Sequence, residues 1–298
     1  MRRIQLSDAD CAIAQALDVV GDWWTLLIVR DVARGRHRFD DLQAGLGMSR
    51  KVLAERLKML VDREVLARHA YLAHPPRHEY RLTSTGQALL PVLVALQDFG
   101  STWVLGDGTL SATAPIDSAE THRVRALVGT VLPAMRLPLA GGAAIDPVAA
   151  TPYTVIYCYP GTGTPGGAGH PPGWAAIPGA VGCSLEACTY RDRLAEFAAL
   201  GATVHGISTQ RSDEQAAFAD AERIGFPLLS DAGLEFVAAL RLPTFRAAGT
   251  DRLKRLTLVI DERRVVRGVL YPIADVAGSV SDALALVSTL AAGSGRLA

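Results

Sequence analysis

Apolar residues recur at helical spacing through most of the first hundred residues. The first run predicts a helix over residues 10–20, which Gly21 ends. Similar runs predict further helices over residues 23–33, 40–46, 49–63 and 83–103. Alternating apolar and polar positions also predict two short strands, at 66–72 and 77–83. The first hundred residues therefore combine several helices with one hairpin.

A different pattern follows in the second half of the chain, where apolar strands alternate with helices. We predict strands at 154–159, 203–208, 255–261 and 265–271, and helices at 184–200, 213–224 and 273–290. Strands that alternate with helices are typical of an α/β sandwich with a mixed sheet. The two parts of the chain are therefore predicted to have different fold classes.

A segment without periodicity separates the two patterns. Residues 106–122 are small and polar, which is the composition of a linker. We therefore predict two domains, at 1–108 and 123–298, joined by a linker at 109–122.

Composition narrows the class of protein. Of the 298 residues, 49% are hydrophobic and 20% are charged, which excludes global disorder. Lys+Arg and Asp+Glu both number 30, but residues 30–81 hold 12 basic against 7 acidic side chains. A modest basic patch in a neutral chain favours a DNA-reading module. The start of the chain leads into no apolar run, and no membrane-spanning stretch is present, so we expect a cytoplasmic protein that does not contact a membrane.

The basic residues cluster where a winged helix-turn-helix would meet DNA. A short helix, a tight turn, a longer basic helix and a hairpin follow one another in that order. Residues that could read bases or hold phosphates lie on the longer helix and at the hairpin tip: Ser49, Arg50, Lys51, Arg56, Lys58, His74 and Arg77. The alternative is that these charges form a solvated face, but their combined order favours an α+β winged helix-turn-helix that binds double-stranded DNA.

Several motifs in this region resemble those of HxlR-type winged-helix regulators. They are CAIAQALDVVGDWWTLLIVR at 11–30, RFDDL at 38–42, the helix at 49–60 and PPRHEYRLTSTG at 75–86. The resemblance covers about residues 8–105. It implies a homodimer, paired through terminal helices, on a pseudo-palindromic operator, with Trp23, Trp24 and Phe39 in the core. Cys11 matches the cysteine that some members use as a redox switch; the alternative is a small buried apolar residue.

Two cysteines open the predicted helix of the second half. Cys183 lies at the helix start, where the helix dipole stabilises a thiolate and lowers the pKa of the thiol. Cys188 lies five residues later, so in an intact helix the two side chains point about 140° apart and their Cα atoms exceed the bridging limit of about 7 Å. A disulfide between them would require the first turn to unwind. The alternative is two buried helix cysteines.

The surrounding residues resemble the peroxiredoxin Q type. The motifs are YCYPGTGTPG at 157–166, GCSLEACTYRD at 182–192, FPLLSD at 226–231 and KRLTLVID at 254–261. The resemblance covers about residues 125–292 and implies a thioredoxin-like fold. Residue by residue, it places the catalytic site on Pro160, Thr164, Cys183 and Arg255, with Cys188 as the resolving cysteine.

The resemblance also implies the chemistry. Cys183 would attack a peroxide and become a sulfenic acid, while Arg255 would stabilise the thiolate and the leaving oxygen. Thr164 would orient the peroxide and Pro160 would shield the thiolate. Cys188 would then form an intramolecular disulfide, which a thioredoxin-like dithiol would reduce. No cofactor is implied, and a metal site is the weaker interpretation of Cys183 and Cys188 because no second Cys/His pair with ligand spacing accompanies them.

One departure from the family pattern lies between Gly166 and Cys183. The family places the cysteine directly after Thr-Pro-Gly, whereas 16 residues, 167–182, intervene here. The role of Thr164 requires this insertion to loop out and return. His170 and Trp174 could cover the site or pack as an ordinary loop.

The sequence thus predicts a redox-responsive DNA-binding transcriptional regulator with a peroxiredoxin-like thiol peroxidase domain. Two alternatives remain. The chain could be a thiol peroxidase whose DNA-binding domain is functionally independent, or a regulator whose redoxin domain has lost its activity.

Overall fold

The structure is a computed structural model, and it describes residues 10–74, 76–163 and 169–294. The chain divides into two compact units, Met1–Leu93 and Val94–Ala298. The first is mainly helical with one hairpin and the second is an α/β unit, so the predicted fold class is confirmed.

The first unit consists of helices around one β-hairpin. Its elements are α1 (Ala12–Val20), α2 (Trp23–Ala33), α3 (Phe39–Leu46), α4 (Arg50–Asp62), β1 (Leu66–Leu72), β2 (Arg77–Leu82), α5 (Ser84–Gln87) and the start of α6 (Leu90–Phe99). Strands β1 and β2 pair antiparallel. The buried side chains that hold these elements together include Ile28, Val29, Leu42, Leu53, Leu57 and Leu60.

The turn between α3 and α4 follows from two residues. Gly47 ends α3 with φ +65°, a left-handed conformation that glycine adopts without a steric penalty. Ser49 then begins α4, because its Oγ accepts a hydrogen bond from the amide of Val52 at 3.3 Å. The short helix, tight turn and longer helix therefore lie where the sequence predicted them.

Two expectations for this unit are wrong. The helix predicted over 83–103 is interrupted after α5, because Pro91 has no amide hydrogen to donate to the carbonyl of Gln87; a π-helical turn, Gly100–Val104, follows α6. Trp23 is not a core residue, since 59% of its surface is exposed. It stacks instead on Trp24, with ring centroids 3.8 Å apart. Trp24 and Phe39 do pack against the core.

The second unit is built on a five-stranded sheet with helices on both faces. Its strands are β3 (Leu137–Pro138), β4 (Ala144–Ile145), β5 (Tyr153–Cys158), β6 (Ala202–Ser208), β7 (Leu228–Ser230), β8 (Thr244–Ala247), β9 (Thr250–Leu253), β10 (Leu256–Asp261) and β11 (Val266–Leu270). Its helices are α7 (Ala119–Arg125), α8 (Cys183–Asp192), α9 (Leu194–Ala199), α10 (Ser212–Glu222), α11 (Glu235–Leu240) and α12 (Gly278–Ser294).

The sheet order is β11-β10-β5-β6-β7. Strands β5, β6 and β7 run parallel, whereas β10 is antiparallel to both of its neighbours, so the predicted mixed sheet is confirmed. Every residue of β5 is buried, because alternate side chains enter two different cores. Tyr157 packs with α8 and α12 on one face, and Cys158 packs with α11 on the other. The carboxyl end of β5 therefore lies in the interior, next to the start of α8.

The segment predicted as a linker is packed into the second unit. The amide of Ala112, which is fully buried, donates to the carbonyl of Pro178 at 2.8 Å. Ser118 begins α7 by accepting a hydrogen bond from the amide of Thr121 at 3.1 Å. Small residues without periodicity can pack in extended form, which explains why their composition resembled a linker. The boundary between the units lies within α6, before this segment.

Other elements differ from the predictions in detail. The hairpin β8–β9 and helix α11 had no counterpart in the predicted elements, and the helix predicted over 184–200 is divided at Arg193. Helix α12 begins at Gly278 rather than at residue 273, because the carboxylate of Asp275 accepts a hydrogen bond from the amide of Gly278 at 3.1 Å and fixes the start. No single described helix is long and apolar enough to cross a membrane; α1 and α2, bent by 72°, pass that test only as a pair.

Candidate active site and candidate nucleic-acid interface

Cys183 is the first residue of α8 and lies in the interior of the second unit. Gly182 directly before it adopts φ +101°, which turns the chain into the helix. The side chain is 3% exposed and packs with Tyr157, Tyr159 and Tyr190. Its Sγ lies 3.7 Å from the carbonyl oxygen of Ala180, to which the thiol donates. The thiol is thus held at a helix N-terminus inside a closed aromatic pocket.

A buried arginine contacts this thiol directly. Nη2 of Arg255 donates to Sγ of Cys183 at 3.3 Å and to the carbonyl oxygen of Val181 at 2.9 Å. Nη1 of the same guanidinium forms an ion pair with Glu186, one turn further along α8. Both charged side chains are almost wholly buried, Arg255 at 2% and Glu186 at 0% exposed. The predicted pair of Cys183 and Arg255 is therefore brought together, with Glu186 as a third member.

The electrostatics of the thiol differ from the expectation based on the helix start alone. Burial raises the pKa of Cys183, and the carboxylate of Glu186 raises it further. The charge of Arg255 and a backbone hydrogen bond from Gly161 act in the opposite direction without overcoming burial. Burial also raises the pKa of Glu186 to about 7, against the influence of Arg255. The resting thiol is thus shielded from water, with the groups that stabilise a thiolate already in contact with it.

The chain after β5 forms the wall opposite α8. Pro160 is buried there, and Gly161 follows it with φ +152°. The amide of Thr162 donates to Oε1 of Gln210 at 2.8 Å, and Nε2 of Gln210 donates back to the carbonyl of Thr162 at 3.1 Å. Gln210 therefore fixes the backbone that supplies the hydrogen bond to the thiol. Thr164 lies outside the described residues.

Cys188 has different surroundings from Cys183. It is half-buried, and its Sγ donates to Oε2 of Glu222 on α10 at 3.5 Å. Burial and this hydrogen bond raise the pKa of Cys188. All four cysteines are free thiols. Five residues of intact helix separate Cys188 from Cys183 by a rise of about 7.5 Å, which exceeds disulfide geometry.

The described part of the insertion, residues 169–182, packs beside the site. Trp174 is 3% exposed and lies against Phe245 of β8, with ring centroids 6.0 Å apart. The ring of His170 stacks on Trp174 at 5.0 Å. The guanidinium of Arg252, from β9, lies over the same indole at 5.7 Å. The insertion and the β8–β9 hairpin thus form one packed structure.

The predicted DNA-reading residues of α4 divide into exposed and engaged side chains. Lys51 is exposed. Arg50 is 67% exposed, although its Nη1 donates to Oδ1 of Asp40 at 3.0 Å. Lys58 is exposed and pairs with Asp62 one turn along the helix. The start of α4 therefore presents two exposed basic side chains, of which Arg50 is held by Asp40 and Gln43.

Arg56 is engaged within the fold. Its Nη2 donates to Oδ2 of Asp22 at 2.8 Å, and both side chains are about two-thirds buried. This contact joins α4 to the residue that begins α2. At the hairpin, His74 and Arg77 are exposed, as a wing that contacts DNA requires. Cys11 lies at the start of α1 and is half-buried.

Three residues of the thiol site were not identified from the sequence. Glu186 could have been found, because its position three residues after Cys183 places it on the same helix face. Gln210 and Arg252 are distant in sequence and reach the site only through the fold. Among the described residues, no cluster of three or more His, Cys, Asp or Glu side chains could hold a metal ion.

Two families match separate parts of the chain. Residues 19–107 match the HxlR-like helix-turn-helix family, and residues 176–269 match the AhpC/TSA family. Over 93 residues the chain is 41% identical to an uncharacterized HTH-type transcriptional regulator of Mycobacterium tuberculosis, which covers 31% of this chain and 59% of that protein. It is 36% identical over 91 residues to the uncharacterized HTH-type transcriptional regulator YvaP of Bacillus subtilis, which covers 30% of this chain and 84% of that one.

Among solved structures, the crystal structure of peroxidoxin BcpB from Mycobacterium tuberculosis is 29% identical, with a TM-score of 0.45, over 54% of this chain and 96% of that one. The winged helix-turn-helix described above lies within the part that matches the transcriptional regulators, and Cys183 and Arg255 lie within the part that matches AhpC/TSA. The chain therefore belongs to the HxlR-like helix-turn-helix family and carries, in the same polypeptide, a peroxiredoxin domain of the AhpC/TSA family.

Proposed function

We propose that this chain is a peroxide-responsive, DNA-binding transcriptional regulator of the cytoplasm whose second domain is a thiol peroxidase. The observation that carries the enzymatic part is the contact between Arg255 and Cys183, 3.3 Å from Nη2 to Sγ, in a buried pocket at a helix start. A cation fixed beside a buried thiol stabilises the negative charge that forms on sulfur and on the leaving oxygen during the reaction.

The reaction follows from these contacts. Cys183 loses its proton, and the thiolate attacks the outer oxygen of a hydroperoxide. The S–O bond forms as the O–O bond breaks, so sulfur is oxidised to a sulfenic acid while the peroxide is reduced to an alkoxide, or to hydroxide when the peroxide is H₂O₂. The proton given up by the thiol returns to that oxygen. Arg255 and the Gly161 amide stabilise the charge, Pro160 shields the thiolate, and Thr164 orients the peroxide.

Cys188 completes the cycle as the resolving residue. Its thiol condenses with the sulfenic acid, water leaves, and an intramolecular disulfide forms. A thioredoxin-like dithiol then reduces that disulfide, and its own two thiols become oxidised. Because the cysteines are too far apart in the intact helix, the first turn and a half of α8 must unwind. Unwinding withdraws Cys188 from Glu222 and Glu186 from Arg255.

The first domain supplies DNA binding in this proposal. The exposed start of α4, with Ser49, Arg50 and Lys51, enters the major groove, and His74 and Arg77 contact the backbone from the hairpin. Arg56 and Lys58 add to the positive potential near the helix. A homodimer would place two such helices on a pseudo-palindromic operator.

A physical route connects oxidation with the rest of the second unit. Lys254, directly before Arg255, donates through Nζ to Oε1 of Glu120 at 3.0 Å and to the carbonyl of Thr113 at 3.4 Å. When Glu186 leaves Arg255, the guanidinium loses its ion pair, and the backbone that carries both basic residues becomes free to move. The segment held by Lys254 directly follows the HxlR-like residues in the chain, which end at 107.

Peroxide consumption tests the enzymatic part. With a dithiol reductant, wild-type protein is expected to turn over H₂O₂, whereas Cys183→Ser is expected to lose activity completely. Cys188→Ser is expected to oxidise once and then stop as sulfenic or sulfinic acid, visible by mass spectrometry. Wild-type rates in Cys183→Ser would overturn the assignment of the nucleophile.

A DNA-shift titration tests the regulatory part. The probe is the fragment upstream of the protein's own gene, at fixed salt, with reduced protein and protein treated with one equivalent of H₂O₂. We expect at least a fivefold difference in affinity between the two states, and no difference for Cys188→Ser, in which α8 stays intact. Equal affinities of reduced and oxidised wild-type protein would leave a peroxidase and a DNA-binding domain that act independently.

A further inference from the structure

A second arginine, Arg252, lies beside the thiol site. Its Nη1 lies 3.0 Å from the position that a Cβ on Gly161 would occupy, so the glycine allows this close approach. The backbone of Gly161 is also close enough to Cys183 to lower the pKa of that thiol. Gly161 is therefore a common neighbour of the Arg252 guanidinium and the reacting sulfur.

Two buried hydrogen-bond donors at this place have no acceptor among the described residues. They are Nε of Arg252 and Nε1 of Trp174. Within the described residues, no carboxylate forms an ion pair with Arg252. The carboxylate of Glu214 raises the pKa of Arg252, but its Oε2 already accepts a hydrogen bond from the amide of Arg211 at 2.9 Å. The side chain of Arg252 is half-buried, but a buried guanidinium N–H and a buried indole N–H without acceptors are costly unless something binds them.

We propose that Arg252 and Trp174 form an anion subsite that selects hydroperoxides carrying a carboxylate. The proposal rests on the peroxidase function above and names its substrate class. The guanidinium binds the carboxylate through two parallel hydrogen bonds, and the indole N–H and ring bind the carboxylate's oxygen and the adjacent apolar carbons. The hydroperoxide group of the same molecule then reaches Cys183 past Gly161.

The chemistry at sulfur is unchanged by this subsite. The thiolate takes the outer oxygen, the O–O bond breaks, and the product is a hydroxy acid that keeps its carboxylate on Arg252. Because Arg252 binds a part of the substrate that does not react, its contribution appears as selectivity between substrates. This separates its role from that of Arg255, which contacts the reacting sulfur.

Matched substrates test the selectivity. The full-length protein is assayed with cumene hydroperoxide, its para-carboxylate derivative, the methyl ester of that derivative, and H₂O₂. We expect kcat/KM for the carboxylate to exceed that for the ester at least tenfold. Arg252→Gln is expected to abolish this preference, so that the ratio of the two kcat/KM values falls to about 1, and Arg252→Lys is expected to restore part of it. Arg246→Gln, an exposed arginine of the same hairpin, serves as the control and should keep the preference.

A binding measurement separates this proposal from the peroxidase function. Calorimetry with 4-isopropylbenzoate and Cys183→Ser protein is expected to show binding that weakens at least tenfold with added Arg252→Gln and with the neutral amide of the ligand. Equal binding in all three cases would overturn the anion subsite whether or not the thiol reacts. Binding that depends on Arg252, together with a thiol that no peroxide oxidises, would support the subsite and overturn the peroxidase.

Discussion

Helices α4 and α8 both begin with the residues to which we assign function, yet their first turns are opposites. The start of α4 carries Arg50 and Lys51 in solvent, and Ser49 caps the helix by a local hydrogen bond. The start of α8 carries Cys183 in a closed pocket, and its partner Arg255 comes from 72 residues further along the chain. One site is local and exposed, whereas the other is assembled by the fold and buried.

Exposure or burial determines how each site responds to substitutions. Exposed charges are screened by water and salt, so each contributes a small and nearly independent share of affinity. Buried charges are coupled, because removing one leaves its partner without compensation in a medium of low dielectric. We therefore expect substitutions at the thiol site to have large effects that depend on one another, and substitutions at the start of α4 to have small effects that add.

The largest effect is expected at Arg255. Arg255→Gln removes the charge that faces the reacting sulfur and leaves Glu186 buried without its ion pair. We expect the rate of Cys183 oxidation by H₂O₂ to fall by roughly 10²–10³-fold, the range for losing one fixed group that stabilises transition-state charge. Stopped-flow fluorescence or competition kinetics would measure it. Arg267→Gln, an arginine on β11 paired with Asp261, is the control and should react at the wild-type rate. A loss below fivefold for Arg255→Gln would contradict the expectation that substitutions at the buried thiol site have large effects.

The next effect concerns the pH at which the thiol becomes reactive. Cys183 must lose its proton before it attacks, so its rate of alkylation by iodoacetamide rises as the pH rises through its pKa. Glu186 raises that pKa, so Glu186→Gln removes a raising influence and should shift the midpoint to lower pH. Peptide mass spectrometry resolves Cys183 from the other three cysteines. A midpoint that moves to higher pH would mean that Glu186 acts chiefly by fixing Arg255.

The exposed site at α4 could be predicted from neighbouring residues in the sequence, whereas the buried thiol site depends on contacts between distant residues. The capped helix with its basic first turn was visible in the sequence, since Gly47, Ser49 and the spacing of leucines act within a few residues. Cys183 and Arg255 were paired only through resemblance to a family. Nothing in their spacing of 72 residues predicts a contact of 3.3 Å.

The electrostatics of the thiol were beyond sequence reasoning. The helix start at Cys183 predicts a lowered pKa, but burial outweighs it, and the depth of a residue depends on packing from the whole unit. The hairpin that carries Arg252 was missed because its strands are four residues long and rich in polar side chains. By contrast, the break after α5 could have been predicted, since Pro91 stands in the sequence within the expected helix.

A smaller effect is expected on DNA affinity when a basic residue at the exposed start of α4 is replaced. Lys51→Gln should weaken binding to the upstream DNA fragment about fivefold to tenfold at 50 mM salt and reduce the slope of log K against log salt by about 1, as for one lost phosphate contact. Lys58→Gln, whose lysine is already paired with Asp62, should change the slope by less than half as much. Fluorescence anisotropy over a salt series measures both. Equal slopes for the two variants would place the contacted face elsewhere on α4.

The smallest effect is expected at the turn before α4. Gly47 holds φ +65°, and beyond its chain neighbours no atom of the described residues lies within 4 Å of the position that a Cβ would take, so the backbone conformation is the main obstacle to a side chain. Gly47→Ala should cost about 1–2 kcal/mol of unfolding free energy, and Gly47→Asn should cost less, because asparagine adopts the left-handed region more readily. Thermal unfolding would show a shift of a few degrees for alanine. Because the turn is local, neither variant should alter the reaction of Cys183 with peroxide. A changed thiol rate in Gly47→Ala would show that the exposed and buried sites are coupled in the reduced protein, before any oxidation takes place.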